Sequence, residues 1–341
     1  MSPVAGPLAT LAAEIGALSE DLGRRVELDV PSLTDRSADL PLGPPGLTSP
    51  NGACRLVAAA DGWMAVNLAR EDDAALVPAW LGCADADEPW PAIQAAARSR
   101  PWRELADRAH LLGLPVAGVG ELAATTMAAT LRPAGRPAPR RGRELRILDL
   151  STLWAGPLCG AVLAAMGASV TKVESVRRPD PSRDSTPDFF RRLNAAKAEL
   201  ALDFAAPGDR ARLRAMMLQA DVVITSARPR AFEQLGLAPA ALFAERPDLT
   251  WVAISGYGWT GEAGERVAFG DDAAAAGGLV RWTAAGAPHF LGDALGDPLT
   301  GLAAAVGALQ ALAQGGGLIV DAALARTAAG AAAALGLRTA A

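Results

Sequence analysis

Lysine is almost missing from this chain: of its 32 basic residues only Lys172 and Lys197 are lysine, and the rest are arginine. Cysteine is scarce as well, and Cys54, Cys83 and Cys159 are far apart, odd in number and without a C-x-x-C pair. That usage excludes a disulfide scaffold or a cysteine-based zinc site and fits a reducing cytoplasm. The two histidines, His110 and His289, stand away from any serine or cysteine in a nucleophile setting. A Ser-His-Asp or Cys-His enzyme is therefore not indicated, and there is no P-loop or H-E-x-x-H helix. No run of 18 apolar residues occurs, and Met1-Ser2-Pro3-Val4 has no basic n-region, so neither a membrane span nor export is expected. Positive charge is in deficit, with a net charge of −5, so the overall field repels a phosphate backbone and argues against a nucleic-acid partner.

What is present is a folded composition, 51% hydrophobic and 20% charged. The 341 residues exceed the ~250–300 at which one hydrophobic core stops growing, so two domains are expected. Residues 132–143 hold three prolines and five arginines without apolar periodicity and read as a linker. Residues 1–131 then form a small α+β domain, with a helix over 7–22, two apolar runs around Asp61-Gly62, a loop from Pro41 to Pro50, and helices over 73–81, 91–98 and 102–112. Residues 144–341 alternate strands (146–150, 169–173, 199–203, 221–225, 250–255, 317–321) with helices (157–166, 208–219, 229–235, 299–313). This alternation predicts an α/β fold, a mostly parallel Rossmann-like sheet with flanking helices that takes ligands at the carboxyl ends of its strands. Alanine, about 23% of the residues, blurs helical periodicity because it tolerates any helix face.

Gly256-Tyr257-Gly258-Trp259-Thr260-Gly261 satisfies G-x-G-x-x-G after a strand, but the residues that follow, Glu262-Ala263-Gly264-Glu265-Arg266, open no apolar helix to meet a pyrophosphate. Asp297-Pro298 reads as a helix start, with Asp297 as N-cap and the partial positive charge of the helix favouring its ionised form. Capping and nucleophilic chemistry are both open to such an aspartate, and Asp293, four residues earlier, and the Asp271-Asp272 pair at another helix start share the ambiguity.

In order, Ile147-Leu148-Asp149-Leu150, Ala155-Gly156-Pro157, Gly167-Ala168 and Val170-Thr171-Lys172-Val173-Glu174 are followed by Asn194, Lys197, Leu202 and Asp203. Ala220-Asp221-Val222-Val223-Ile224, Arg228-Pro229, Leu235-Gly236-Leu237 and Ile254-Ser255-Gly256-Tyr257-Gly258-Trp259-Thr260-Gly261 come next. Across residues 145–325 this series resembles the class III CoA-transferases, including the formyl-CoA:oxalate and carnitine CoA-transferases and the α-methylacyl-CoA racemases. Both lysines and the single tyrosine, Tyr257, fall inside these blocks. The resemblance implies a nucleophilic aspartate in a Gly-Asp-x-x-x-Gly setting, matched by Gly296-Asp297-Pro298-Leu299-Thr300-Gly301. It implies an aspartyl intermediate, a CoA thioester as substrate, a carboxylic acid as acceptor, no permanent cofactor or metal, and a homodimer. Thr152, Trp154 and Ala155 match positions that contact pantetheine and thioester, and Ser226 and Arg228 match positions at the adenine nucleotide. Arg177, Arg178 and Arg183 are candidate phosphate ligands, with a solvated charged loop as the other reading. Gly156, Gly277 and Gly278 are candidate oxyanion donors.

The chain also departs from the family pattern. Trp154 replaces a glutamine of the formyl-CoA enzymes, Gly270 replaces a histidine of the racemases, and Gln234 replaces a basic residue. The chain order is changed as well, since residues 50–118 look weakly similar to the small domain that follows the nucleotide-binding half in the family. The alternatives to CoA transfer are an acyl-CoA racemase or isomerase, and a non-catalytic homologue that binds CoA or a partner subunit.

Overall fold

The computed structural model describes residues 2–83, 88–139, 142 and 144–337. A seven-stranded sheet contains β4 (Thr130–Pro133), β5 (Arg146–Leu150), β6 (Ser169–Ser175), β7 (Ala198–Leu202), β8 (Val222–Thr225), β9 (Thr250–Ser255) and β12 (Leu318–Ala323). Its order is β4-β12-β9-β8-β5-β6-β7, parallel throughout except that β4 runs antiparallel to β12. From β5 the chain builds outwards through β6 and β7, then returns to the other side of β5 to lay down β8, β9 and β12. The order therefore reverses between β5 and β8, and in an open parallel sheet the crevice at such a reversal takes the ligand. β8 is buried along its whole length and reads Val-Val-Ile-Thr without polar alternation, as a strand covered on both faces should.

One face is covered by the helices Ala155–Ala165 and Gly296–Ala313, and the other by a cluster built on Leu213, Met217, Phe232, Leu242 and Trp251. The Gly296–Ala313 helix is buried on nearly every side, which explains its lack of an apolar stripe. Small residues let it approach its neighbours. A Cβ on Gly301 would lie 2.7 Å from the Ala155 carbonyl oxygen, and one on Gly307 would lie 2.5 Å from Val320 Cγ1.

The N-terminal part carries an antiparallel sheet, β1 (Cys54–Ala59), β2 (Gly62–Asn67) and β3 (Val116–Gly118), under the helices Pro89–Ser99 and Trp102–Leu111. Its first helix, Ala5–Asp21, packs elsewhere: Leu8, Leu11 and Ile15 join the core around the Gly296–Ala313 helix. The segment expected to be a linker is also not free where it is described. Arg132 and Pro133 belong to β4, Gly135 N donates to Gly317 O (2.9 Å), and Ala138 N donates to Gly315 O (2.9 Å). Residues 140, 141 and 143 of that segment, and 338–341 at the end of the expected second domain, lie outside the described residues.

The expected strands and helices of the second half are found within three residues of their expected ends, and the structure adds further elements. Among these are the helices Pro187–Asn194, Pro239–Glu245 and Leu324–Ala334 and the hairpin β10 (Val280–Trp282) with β11 (Pro288–Phe290), which carries His289, while the Gly270–Ala276 helix begins at the expected Asp271-Asp272.

Candidate functional site

The turn after β5 is fixed by the only two lysines. Lys197 Nζ, fully buried, donates to Asp149 Oδ2 (2.7 Å), Pro157 O (2.8 Å) and Asn194 Oδ1 (2.8 Å). Lys172 Nζ donates to the Ser151 carbonyl (2.8 Å) and Asp180 Oδ2 (3.0 Å), and Asp180 in turn accepts from Leu153 N (3.1 Å). Leu153 has φ +68°, a conformation costly for a branched residue, and this buried ion pair holds its amide. On the other side Thr152 N donates to Ser226 Oγ (3.0 Å), which ties the β5 turn to the β8 turn across the reversal point of the sheet.

Four aspartates meet at the start of the Gly296–Ala313 helix. Asp297 is the second residue of that helix and not its cap; Leu295 occupies the cap position, and Asp297 N donates to Ala294 O (2.9 Å). Arg36 donates to Asp293 through Nε (2.6 Å) and Nη2 (3.0 Å), and its guanidinium lies 4.7 Å from the centre of the Trp154 ring. Asn51 Nδ2 donates to Asp271 Oδ2 (2.7 Å) and Asp293 Oδ1 (2.8 Å), and Ala294 N donates to Asp271 Oδ1 (2.7 Å). Asp272 Oδ1 accepts from Asn67 Nδ2 (2.8 Å) and Phe269 N (2.9 Å), while Asp272 Oδ2 and Asn67 Oδ1 are buried without partners among the described residues. Arg36, Asn51 and Asn67 all come from the N-terminal part of the chain.

Burial pushes the Asp297 carboxyl up to about 7; Arg36 opposes this, and Asp271 and Asp293 add to it. Burial likewise raises Asp271 to about 6 and Asp272 to about 7. Asp297, expected to be ionised from its place at a helix start, thus holds its proton up to about pH 7, because desolvation outweighs the nearby Arg36 guanidinium. Gly270 packs directly on it: a Cβ there would lie 2.2 Å from Asp297 Oδ2 and 2.5 Å from Ala294 O.

A cleft of about 570 Å³, a volume ordinary for a small-molecule site, opens at the carboxyl ends of β5, β8 and β9. It brings together Asp297, Thr152, Ala155, Gly156, Arg178, Ser226 and Arg228. Among the described residues Arg178 and Arg228 form no ion pair; burial, with Arg230 and Arg70 nearby, lowers the proton affinity of the Arg228 guanidinium. The other candidates lie outside the cleft. Trp154 is buried edge-on against Phe189, with its indole N–H donating to Leu33 O (3.2 Å). Arg177 is paired with Asp203 (2.9 Å), and Arg183 with Glu174 and Glu199 (both 2.8 Å). Gly277 faces the Leu324–Ala334 helix, where a Cβ would lie 2.5 Å from Ala329 N, and the Cβ position of Gly278 lies 3.8 Å from Gly120 Cα. Gln234, which stands where a basic residue was expected, does line the cleft.

Sequence reasoning missed Arg70, Arg230, Arg266 and Phe269, which also line it. Arg266 stacks 3.4 Å from the centre of the Tyr257 ring and donates to Glu121 (2.6 Å). Among so many arginines none stood out in sequence, and Arg70 enters from the far half of the chain. The G-x-G-x-x-G string ends in a short 3₁₀ helix, Gly261–Gly264, and makes no dinucleotide fingerprint. No group of acidic, histidine or cysteine side chains among the described residues is suited to hold a metal, and no helix there is long and apolar enough to cross a membrane.

The sequence profile of CoA-transferase family III matches residues 143–339. The chain is 33% identical over 196 residues to succinyl-CoA–D-citramalate CoA-transferase of Chloroflexus aurantiacus, covering 54% of this chain and 49% of that one. It is 35% identical over 119 residues to the α-methylacyl-CoA racemase of Mus musculus, covering 35% and 29%. Among solved structures, the hypothetical protein Rv3272 of Mycobacterium tuberculosis superposes with a TM-score of 0.52 at 30% identity, over 57% of this chain and 59% of that one. The chain spans about half the length of the curated relatives it matches. With the Rossmann-like sheet, the Gly-Asp-x-x-x-Gly helix start and a profile match over more than half its residues, the chain belongs to CoA-transferase family III.

Proposed function

We propose that this protein transfers CoA between carboxylic acids through Asp297. One observation carries the reading: the Asp297 carboxylate, the first helical turn at Ala155-Gly156, and the guanidiniums of Arg178 and Arg228 all face one cleft at the reversal point of the sheet. Several relatives are named as CoA-transferases acting on succinyl-CoA, among them the mouse succinyl-CoA:glutarate enzyme.

The ionised Asp297 attacks the thioester carbonyl, the C–S bond breaks, and CoA leaves as thiolate, giving an acyl-aspartyl anhydride. The thiolate then attacks the aspartyl carbonyl and expels the first acid as carboxylate, leaving an aspartyl-CoA thioester. An incoming carboxylate repeats the exchange in reverse and leaves with CoA. No proton, electron or water is consumed, so the reaction needs neither metal nor redox cofactor. Each tetrahedral oxyanion needs N–H donors; the first-turn amides at Ala155 and Gly156 are the candidates in the cleft, and loss of one such donor costs ~3–4 kcal/mol in other acyl transfers. Arg178 and Arg228 offer forks to the CoA phosphates. A cytoplasmic homodimer completes the proposal.

The racemase alternative is disfavoured by the resemblance itself, in which the racemases carry a histidine at the position of Gly270. Gly270 supplies no base, and the space is closed by Asp297 Oδ2 and Ala294 O. The test is to incubate the protein with succinyl-CoA and an isotopically labelled second acid. Labelled acyl-CoA should form with the wild type and not with Asp297→Ala; α-proton exchange without transfer would show racemase chemistry instead.

A further inference from the structure

The cleft has a cation that neither its fold half nor the sequence blocks supply. Arg70 follows β2 in the N-terminal part of the chain, yet it lines the same cleft as Arg228 and Arg230. Its guanidinium is fixed: Nε donates to Asp73 Oδ1 (2.8 Å), Nη2 donates to Gly113 O (2.7 Å), and Asp73 is buried. Gly113 also touches the other half, because its Cβ position lies 3.9 Å from Arg228 Nη1. One glycine of the N-terminal part is thus in reach of guanidiniums from both halves. Among the described residues Arg70 Nη1 has no partner, Arg228 has no ion pair, and Arg230 reaches Glu265 only at 3.4 Å. Arg70 and Arg230 are each balanced by one carboxylate, Asp73 and Glu265, while Arg228 is not, so the three guanidiniums leave an excess positive charge at the cleft mouth that suits an anion of several charges.

We propose that Arg70 is a ligand for the phosphates of bound CoA, so that the N-terminal part closes over the nucleotide held by Arg228 and Arg230. The inference rests on the CoA reading of the cleft. Arg70 is suited to this because Asp73 and Gly113 hold it in one orientation with a nitrogen left for the ligand, so little side-chain freedom is lost on binding.

The experiment is calorimetric titration of the whole protein with CoA, 3′-dephospho-CoA and pantetheine. Removing Arg70 alone strands the buried Asp73, so the variants are the double substitution Arg70→Ala with Asp73→Asn, and Arg70→Lys, which keeps the charge but not the fork. Thermal unfolding serves as a folding check on each. CoA should bind about ten-fold or more weakly to the double variant, and measurably more weakly to Arg70→Lys, with pantetheine unaffected in both. The dephospho-CoA arm tells which phosphate is held: if its affinity is unchanged by the substitutions, Arg70 holds the 3′-phosphate, and if it falls in parallel, the pyrophosphate. Folded variants that bind CoA as tightly as wild type overturn the inference, as does an equal loss for pantetheine. A wild type that binds no CoA at all overturns the underlying reading of the cleft instead.

Discussion

Replacing Asp272 by asparagine should flatten the pH dependence of stability. Asp272 has no solvent exposure, one oxygen takes Asn67 and Phe269, and the other has no partner among the described residues. Burial holds its carboxyl at about 7 in the folded chain, against ~3.9 in an unfolded one. The folded state therefore keeps this proton where the unfolded state has released it. Its contribution is full below about pH 4 and is lost as pH rises, until the folded group ionises near 7. A separation of about three pH units at ~1.36 kcal/mol each amounts to about 4 kcal/mol. The asparagine side chain keeps the accepting oxygen and puts an amide where the unpartnered oxygen stood, next to an Asn67 whose own oxygen lacks a donor. Urea unfolding of both proteins at pH 5 and pH 8 measures the effect. Of this, about 2–3 kcal/mol falls between pH 5 and pH 8, so the wild type should lose that much more than Asp272→Asn, and identical pH dependence would refute the claim that Asp272 is neutral in the fold.

Further outcomes concern the site itself. The rate of CoA transfer should rise with pH and level off above about 7, because only the ionised Asp297 attacks; a pH–rate profile flat between 5 and 8 contradicts this. Gly270→Ala places a methyl 2.2 Å from Asp297 Oδ2 and 2.5 Å from a backbone oxygen, so it should cost about 1–3 kcal/mol by thermal unfolding and abolish transfer. Lys172→Met leaves Asp180 buried without its cation, and unfolding should show a loss of about 3–5 kcal/mol.

The parallel half was legible because its strands are short apolar runs set off by glycine and proline, so even β7 is displaced by a single residue from its expected place. The Leu324–Ala334 helix was not, since a run of alanine and glycine carries no face to read, whereas the Gly270–Ala276 helix begins at the expected Asp271-Asp272 start. Asp297 stands out through the Gly-Asp-x-x-x-Gly spacing, but the sequence alone points to an ionised carboxyl: the helix start is visible in sequence, whereas its burial beside Asp271 and Gly270 is set by the fold. The same limit hid Arg36, Asn51, Asn67 and Arg70, none of which lies within 190 residues of Asp297 in the chain. The two lysines were singled out for their rarity, and the structure gives the reason they stand there: both are buried, and both pin the β5 turn that forms one wall of the cleft.

The most direct test of the account is mass spectrometry of the protein quenched after mixing with succinyl-CoA, with and without hydroxylamine. The account predicts a covalent CoA adduct that hydroxylamine converts to a hydroxamate, mapped by peptide sequencing to Asp297 and lost in Asp297→Ala while CoA still binds. An adduct on another residue, or labelled acyl-CoA formed by Asp297→Ala at the wild-type rate, would contradict it.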